Sequence, residues 1–176
     1  MALFAQIPFA LVDLGLTGDR HWVVYLPVLV LSIILMLPFV RQVDRQGRGK
    51  PLLVSAVAAL GVAQVALALT LHSLAGMVVA LTLFFTALNL LEAMLPSLVS
   101  KCAPDDARGA AVGVNASMQF LGAFVGAAAA GYLSQHAGGT SVFILGVGLT
   151  LVWLVASATM AAPPTRYRNN YSMGET

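Results

Sequence analysis

The chain is poor in the residues that soluble chemistry draws on. Charged residues make up 9% of it, nine lysines and arginines against seven aspartates and glutamates, while 59% is hydrophobic. An ordinary soluble domain is about one-quarter charged. A soluble fold this short of charge would leave apolar surface uncovered and would not stay dispersed. The net charge of +2 comes from basic residues confined to short stretches, which excludes the continuous basic face that nucleic acid requires. The lone cysteine, Cys102, rules out an internal disulfide and any multi-cysteine metal site, and beside Lys101 it reads as an incidental thiol. The three histidines lie far apart, and neither a glycine-rich phosphate loop nor an HExxH motif is present. No cofactor, no metal and no catalytic group is therefore expected, and the chain does not read as an enzyme. The segment from Met1 to Val12 is apolar but lacks a basic n-region and a cleavage site, so it does not read as a signal peptide.

What the chain has instead is long apolar runs. Five are long enough to cross a bilayer, which takes roughly 20 residues: Trp22–Val40, Leu52–Leu71, Leu74–Val99, Gly109–Leu133 and Val142–Ala162. Each far exceeds strand length and none alternates with period two. In lipid, only a helix pairs every backbone group within one segment. The expected fold class is all-α membrane, with the lipid bilayer as the first partner. Short connections fit a compact bundle. Leu71-His72-Ser73-Leu74 is a tight turn, Gly138-Gly139-Thr140 precedes the last span, and Asp105 and Asp106 stand before a helix start, where the dipole favours negative charge. The polar tail 163–176, after Pro163-Pro164, reads as disordered.

Orientation follows the basic residues. Arg41, Arg45, Arg48 and Lys50 fall in one loop, Lys101 and Arg108 in another, and Arg166 and Arg168 in the tail. The intervening loops hold only Arg20, His72 and His136. This alternation places the first group, and the C-terminus, in the cytoplasm. An odd number of spans remains, with residues 1–12 as a stub, 13–162 as the bundle and 163–176 as a tail. The stub is too short to span and reads as the outer end of a helix whose inner part is missing.

The loop between the first two spans runs Val40-Arg41-Gln42-Val43-Asp44-Arg45-Gln46-Gly47-Arg48-Gly49-Lys50. A bare anchor needs lysine or arginine only. It needs neither an acid within the run nor a glycine three residues after that acid. Asp44, Arg45, Gly47 and Arg48 resemble the cytoplasmic loop signature of the major facilitator superfamily, Gly-x-x-x-Asp-Arg-x-Gly-Arg-Arg/Lys. Val40 replaces the leading glycine, and Gly49 separates Arg48 from Lys50. These departures resemble the weaker of the family's two copies, between helices 8 and 9. The stretch Asn89–Lys101, with Arg108-Gly109 and Gln119–Gly122, is similar to helices 10 and 11 of the YajR-like bacterial branch. The resemblance covers nearly the whole chain. It implies helices 8 to 12 of a twelve-helix transporter, with residues 1–12 as a remnant of helix 7. It also implies a bacterial inner-membrane setting, transport of a small-molecule substrate by alternating access, protons as coupling ion, and efflux. Alternating access takes two halves, so the missing N-terminal half is needed and the chain alone is not expected to transport.

Glu92 is the acid well inside a span, and an ionised acid at a helix centre in hydrocarbon is expensive, about +3 kcal/mol for Asp on insertion scales. It must face a partner or a water-filled cavity. Asn89 lies three residues before it on the same face. Two roles are open. Glu92 accepts a loop arginine (Arg45, Arg48 or Arg108) as the family's motif implies, or it is a proton or substrate-cation site. In the fourth span, Gly109, Gly113, Gly122 and Gly126 are small-residue steps that let helices approach closely. Asn115 and Gln119 share a face with the last two, as interhelical hydrogen-bonding groups or as substrate-lining ones. The resemblance places this helix at the contact between the two halves. The readings from other classes are a non-transporting membrane-embedded interaction protein assembling through the glycine-rich helix, one part of a split transporter, and a homo-oligomeric pore, which the sparse intramembrane charge disfavours.

Overall fold

The computed structural model of the chain describes residues 7–46 and 49–160. Among these it is all-helical, without a strand. A short helix, α1 (Ile7–Asp13), leads through a 3-10 turn at Gly18–Arg20 into α2 (Trp22–Gln46), α3 (Gly49–Leu69), α4 (Leu74–Cys102), α5 (Arg108–Ala137) and α6 (Gly139–Thr159). The last five are each long and apolar enough to cross a membrane. Their order matches the five predicted spans, and the bounds differ most at charged ends. Helix α2 continues past Val40 to Gln46, because leaving hydrocarbon does not end a helix unless proline or glycine intervenes, and none does before Gly47.

Helix α4 is the axis of the bundle. Met77, Leu81 and Leu91 are almost fully buried, and with Phe84, Met94 and Leu98 they recur at helical spacing along it. Helices α2 and α3 pack along it, and α3 answers with Leu53, Val57, Leu60, Ala63 and Leu67. Helix α6 leans mainly on α3, and α5 touches α4 and α6. Within α5, Ala130 is the one buried residue.

The turns follow local chemistry. Ser73 caps α4 by accepting from the Gly76 amide at 3.3 Å. A side chain at Gly76 would stand 2.9 Å from the Thr70 side chain, so the α3–α4 turn needs glycine there. At the other end of α4, the Ala103 amide closes on the Val99 carbonyl at 3.0 Å, and Pro104 prevents continuation. Gly138, with φ of 77°, breaks α5 from α6 in a conformation that other residues rarely adopt. Hydroxyls inside the spans satisfy themselves on the preceding turn. Thr82 donates to the Val78 carbonyl and Thr86 to the Thr82 carbonyl, at 2.8 and 2.7 Å. Pro27, Pro38 and Pro96 all lie inside helices.

Candidate functional site

Polar side chains of the spans gather in three places between helices. The first is a seam between α2 and α4. Asn89 donates to the Ser32 hydroxyl at 3.1 Å, and that fully buried hydroxyl donates in turn to the Leu29 carbonyl at 2.8 Å. Asn89 therefore turns toward α2. Asn89→Leu is expected to destabilise the bundle by about 0.6 kcal/mol and at most about 1.7, the range measured for interhelical hydrogen bonds in lipid. The loss is small because Ser32 keeps its bond to Leu29. Chemical denaturation of the purified chain checks it, and Ser32→Ala combined with Asn89→Leu should add little further.

The second place is the α3–α6 contact. Gln64 is buried and donates from Nε2 to the Thr150 hydroxyl at 2.9 Å, and Thr150 donates to the Gly146 carbonyl at 2.9 Å. Two glycines make room for this chain of bonds. A Cβ on Gly146 would meet Gln64 Oε1 at 2.8 Å, and one on Gly61 would meet the Thr150 methyl at 3.3 Å. Gln64 Oε1 itself is buried without a hydrogen-bond donor among the described residues. Sequence reasoning passed over Gln64, Thr150 and Gly146. A glutamine in an apolar span at 61–67 was the available signal, since a buried amide in lipid demands a partner.

The third place is a cleft of about 360 Å³ between α3, α4, α5 and α6. Glu92 on α4 and Gln119 on α5 both line it, with Gln64, Gly146 and Thr150 on the α3–α6 side and Phe84, Leu88 and Trp153 among its apolar walls. Gly122 and Gly126 line it as well, and no atom lies within 4 Å of where their Cβ would stand. Glu92 precedes Cys102 by ten residues, and Gln119 follows Arg108 by eleven. Each is thus roughly 15 Å along its helix from the same end of the bundle, at about 1.5 Å per residue. Glu92 is exposed to the cleft and, among the described residues, is the one charged residue lining it.

The structure therefore brings together Glu92 and Gln119 of the sequence-predicted residues, and sets Asn89 apart on the α2 side. Asn115 is half-buried on α5, outside the lining of the cleft. Arg108 pairs with Asp105, three residues before it, in an exposed position where an ion pair contributes little. Gly109 and Gly113 also face open space. Of the loop motif, Gly47 and Arg48 lie outside the described residues, and α2 carries the backbone of Asp44 and Arg45 as far as Gln46. Residues 1–6 of the stub and the tail 163–176 lie outside them too.

In sequence, known proteins resemble the chain over most of its length. The family model described as Major Facilitator Superfamily matches residues 1–175. The inner membrane transport protein YajR of Escherichia coli (strain K12) is 35% identical over 164 residues, which cover 93% of this chain and 36% of that protein. An uncharacterized transporter of Buchnera aphidicola subsp. Acyrthosiphon pisum (strain APS) is 25% identical over 126 residues, 72% of this chain and 32% of the transporter. The chain thus spans about a third of the length of the curated relatives it matches.

Proposed function

Because the chain belongs to the major facilitator superfamily, we propose that it works as most of the C-terminal half of a secondary transporter moving a small solute across a bacterial inner membrane. The observation that carries this reading is the uneven cover of the bundle. Helices α3 and α4 are packed on several sides, whereas α2, α5 and α6 expose long apolar faces, among them Leu26, Val30 and Ile33 on α2, Val114, Leu121 and Val125 on α5 and Ile144, Val152 and Val155 on α6. Three such helices on one bundle leave faces for lipid and for a second bundle docked against them, the arrangement alternating access needs. On this reading α2 to α6 are helices 8 to 12, α1 belongs to helix 7, and the loop 41–50 and the C-terminus face the cytoplasm. The open glycine positions of α5 then serve close approach to the other half, and Asp44, Arg45, Gly47 and Arg48 act as the cytoplasmic loop motif. Proton coupling and outward transport belong to the same proposal.

A second reading draws on the same open face of α5. A small-residue stripe with space before it also suits self-association, which would make the chain a membrane-embedded interaction protein or one part of a split transporter. The size of the native protein separates these readings. An antibody to Arg166–Thr176, used on membranes of the source organism, is expected to detect a band more than twice 18.3 kDa, the mass of this chain. A band at 18.3 kDa that cross-links to itself supports the interaction protein. One that cross-links to a larger partner supports the split transporter.

A further inference from the structure

We propose that a second groove, on the outer side of the α3–α6 contact, holds one acyl chain of a membrane phospholipid in a fixed position against the two helices. The groove shares only Thr150 with the polar cleft. The proposal needs the chain to sit in a bilayer, which its family membership supplies, and does not depend on what the chain transports.

The groove arises from small residues. Ala58, Gly61 and Ala66 lie on its α3 side among the larger Val62, Val65 and Leu69. A Cβ on Gly61 would meet the Thr150 methyl at 3.3 Å, so α6 comes in close and a furrow of about 540 Å³ remains beside the contact. Thr150 is the one polar residue in its lining. Its hydroxyl accepts from Gln64 Nε2 at 2.9 Å and donates to the Gly146 carbonyl at 2.9 Å. The groove therefore offers no hydrogen bond to orient a polar solute, and its occupant must be apolar along its length. On α3 the lining runs from Leu69, the last residue of the helix, back to Val57. That is roughly 18 Å at 1.5 Å per residue, and one leaflet fills about 15 Å of the hydrocarbon core. On α6 it takes in Val147 to Leu154, in the middle of that helix. The furrow thus opens at the membrane face of the α3–α4 turn and ends within the span, the path of an acyl chain descending from its headgroup. It is continuous with the surface that meets lipid, because Val62, Leu69 and Leu151 on its edge are 61%, 79% and 56% exposed and Val152 next to it is 69% exposed. A volume of that size drawn out over such a length is narrower than a helix, which is about 10 Å across with its side chains. An extended peptide would bring backbone groups that nothing in the groove could pair. Moving an acyl chain from bulk lipid into the groove gains nothing from dehydration, since both are dry. The gain is packing. A chain in the furrow touches two helices at once, whereas an unfilled furrow forfeits those contacts.

The experiment titrates dioleoylphosphatidylglycerol into the purified full chain in detergent and follows it by native mass spectrometry. One lipid per chain is expected to bind and saturate before weaker adducts appear. Ala58→Phe and Ala66→Phe, which fill the furrow, should each lose that lipid while the helical circular dichroism is unchanged. Val152→Phe, on an exposed position of α6 outside the lining, should keep it. In bilayers, a phospholipid with a diazirine at the end of its chain should label the residues around Val57 and Leu154, and one with the diazirine beside the glycerol should label those around Leu69. Equal retention in the parent and both groove-filling variants overturns the proposal. So does labelling spread evenly over the lipid-exposed faces of α2 and α5, or binding of free oleate where the phospholipid fails. A lipid-free mass of two chains that the groove-filling variants abolish also overturns it and gives the groove to a second copy. If the phenylalanine variants fail to fold, the labelling pattern of the parent still decides.

Discussion

Leucine in place of Gly146 is expected to loosen α6 from α3 and to cost the bundle roughly 2–4 kcal/mol of stability. The position has no slack. Its hydrogen-facing side lies against Gln64, with 2.8 Å between a built Cβ and Oε1. Real Cβ atoms do not approach oxygen that closely, so either the amide or the helix must move. The amide is held by Thr150, which is held by the Gly146 carbonyl, so moving it unpicks the whole series. It would also strand a buried amide in an apolar setting, where each unpaired group is expensive. Overpacking alone runs to roughly 1–3 kcal/mol, and the lost interhelical bond adds about 0.6 kcal/mol or more. Against a total of about 5–15 kcal/mol for a typical folded domain, that is a large share. The check is denaturation of the purified chain beside Gly148→Leu, two residues on, where nothing lies within 4 Å. Gly148→Leu should behave as the parent does, and Gln64→Ala should restore part of the loss in the Gly146→Leu background. Equal midpoints for the two leucine variants would show that α3 and α6 are not held by this contact.

That prediction rests on residues no composition argument selects, and the reason bears on how much of this protein is legible in its sequence. The five spans could be read because lipid allows one backbone solution and apolar length announces it. The family could be read from Asp44, Arg45, Gly47 and Arg48 with the stretch around Glu92, because charge inside a membrane protein is rare enough to be specific. Which glycines touch a neighbour could not be read. Gly122 and Gly126 carry the familiar four-residue spacing and face open space, whereas Gly61 and Gly146 carry no such spacing and hold α3 against α6. Spacing reports which residues share a face, and only the packing of α3, α4 and α6 decides which face is covered. The same limit separates Asn89 from Glu92. Three residues apart puts them within one sector of α4, yet the sector is wide enough for one to bond Ser32 on α2 and the other to line a cleft toward α5. Depth survived better than direction. Glu92 and Gln119 line one cleft because the turn at 103–107 makes α4 and α5 antiparallel, and their distances from that turn along the sequence nearly match.

Leucine in place of Glu92 is expected to make the chain more stable. The two roles open for this carboxylate predict opposite signs. If Glu92 stabilises one conformation by accepting a loop arginine, its loss leaves that cation unpaired and lowers stability. If it waits in the cleft for a ligand, its desolvation is a standing penalty that leucine relieves. A gain in stability follows from the second. Glu92 is exposed to the cleft, and Arg108 is paired with Asp105. An acidic residue at a helix centre is unfavourable by roughly 2.5–3.5 kcal/mol for Asp on insertion scales. Glu92 sits nearer one end and has cleft water beside it, so the gain should be a fraction of that, on the order of 1 kcal/mol. Functional sites commonly hold residues the fold would be more stable without. Denaturant titration of the parent, Glu92→Gln and Glu92→Leu chains in nanodiscs measures the sign. Midpoints rising in the order parent, glutamine, leucine would show that no loop arginine depends on Glu92. A fall in both variants, with non-additivity against Arg45→Gln, would assign it to the loop motif, because only a direct pair makes those two substitutions depend on each other.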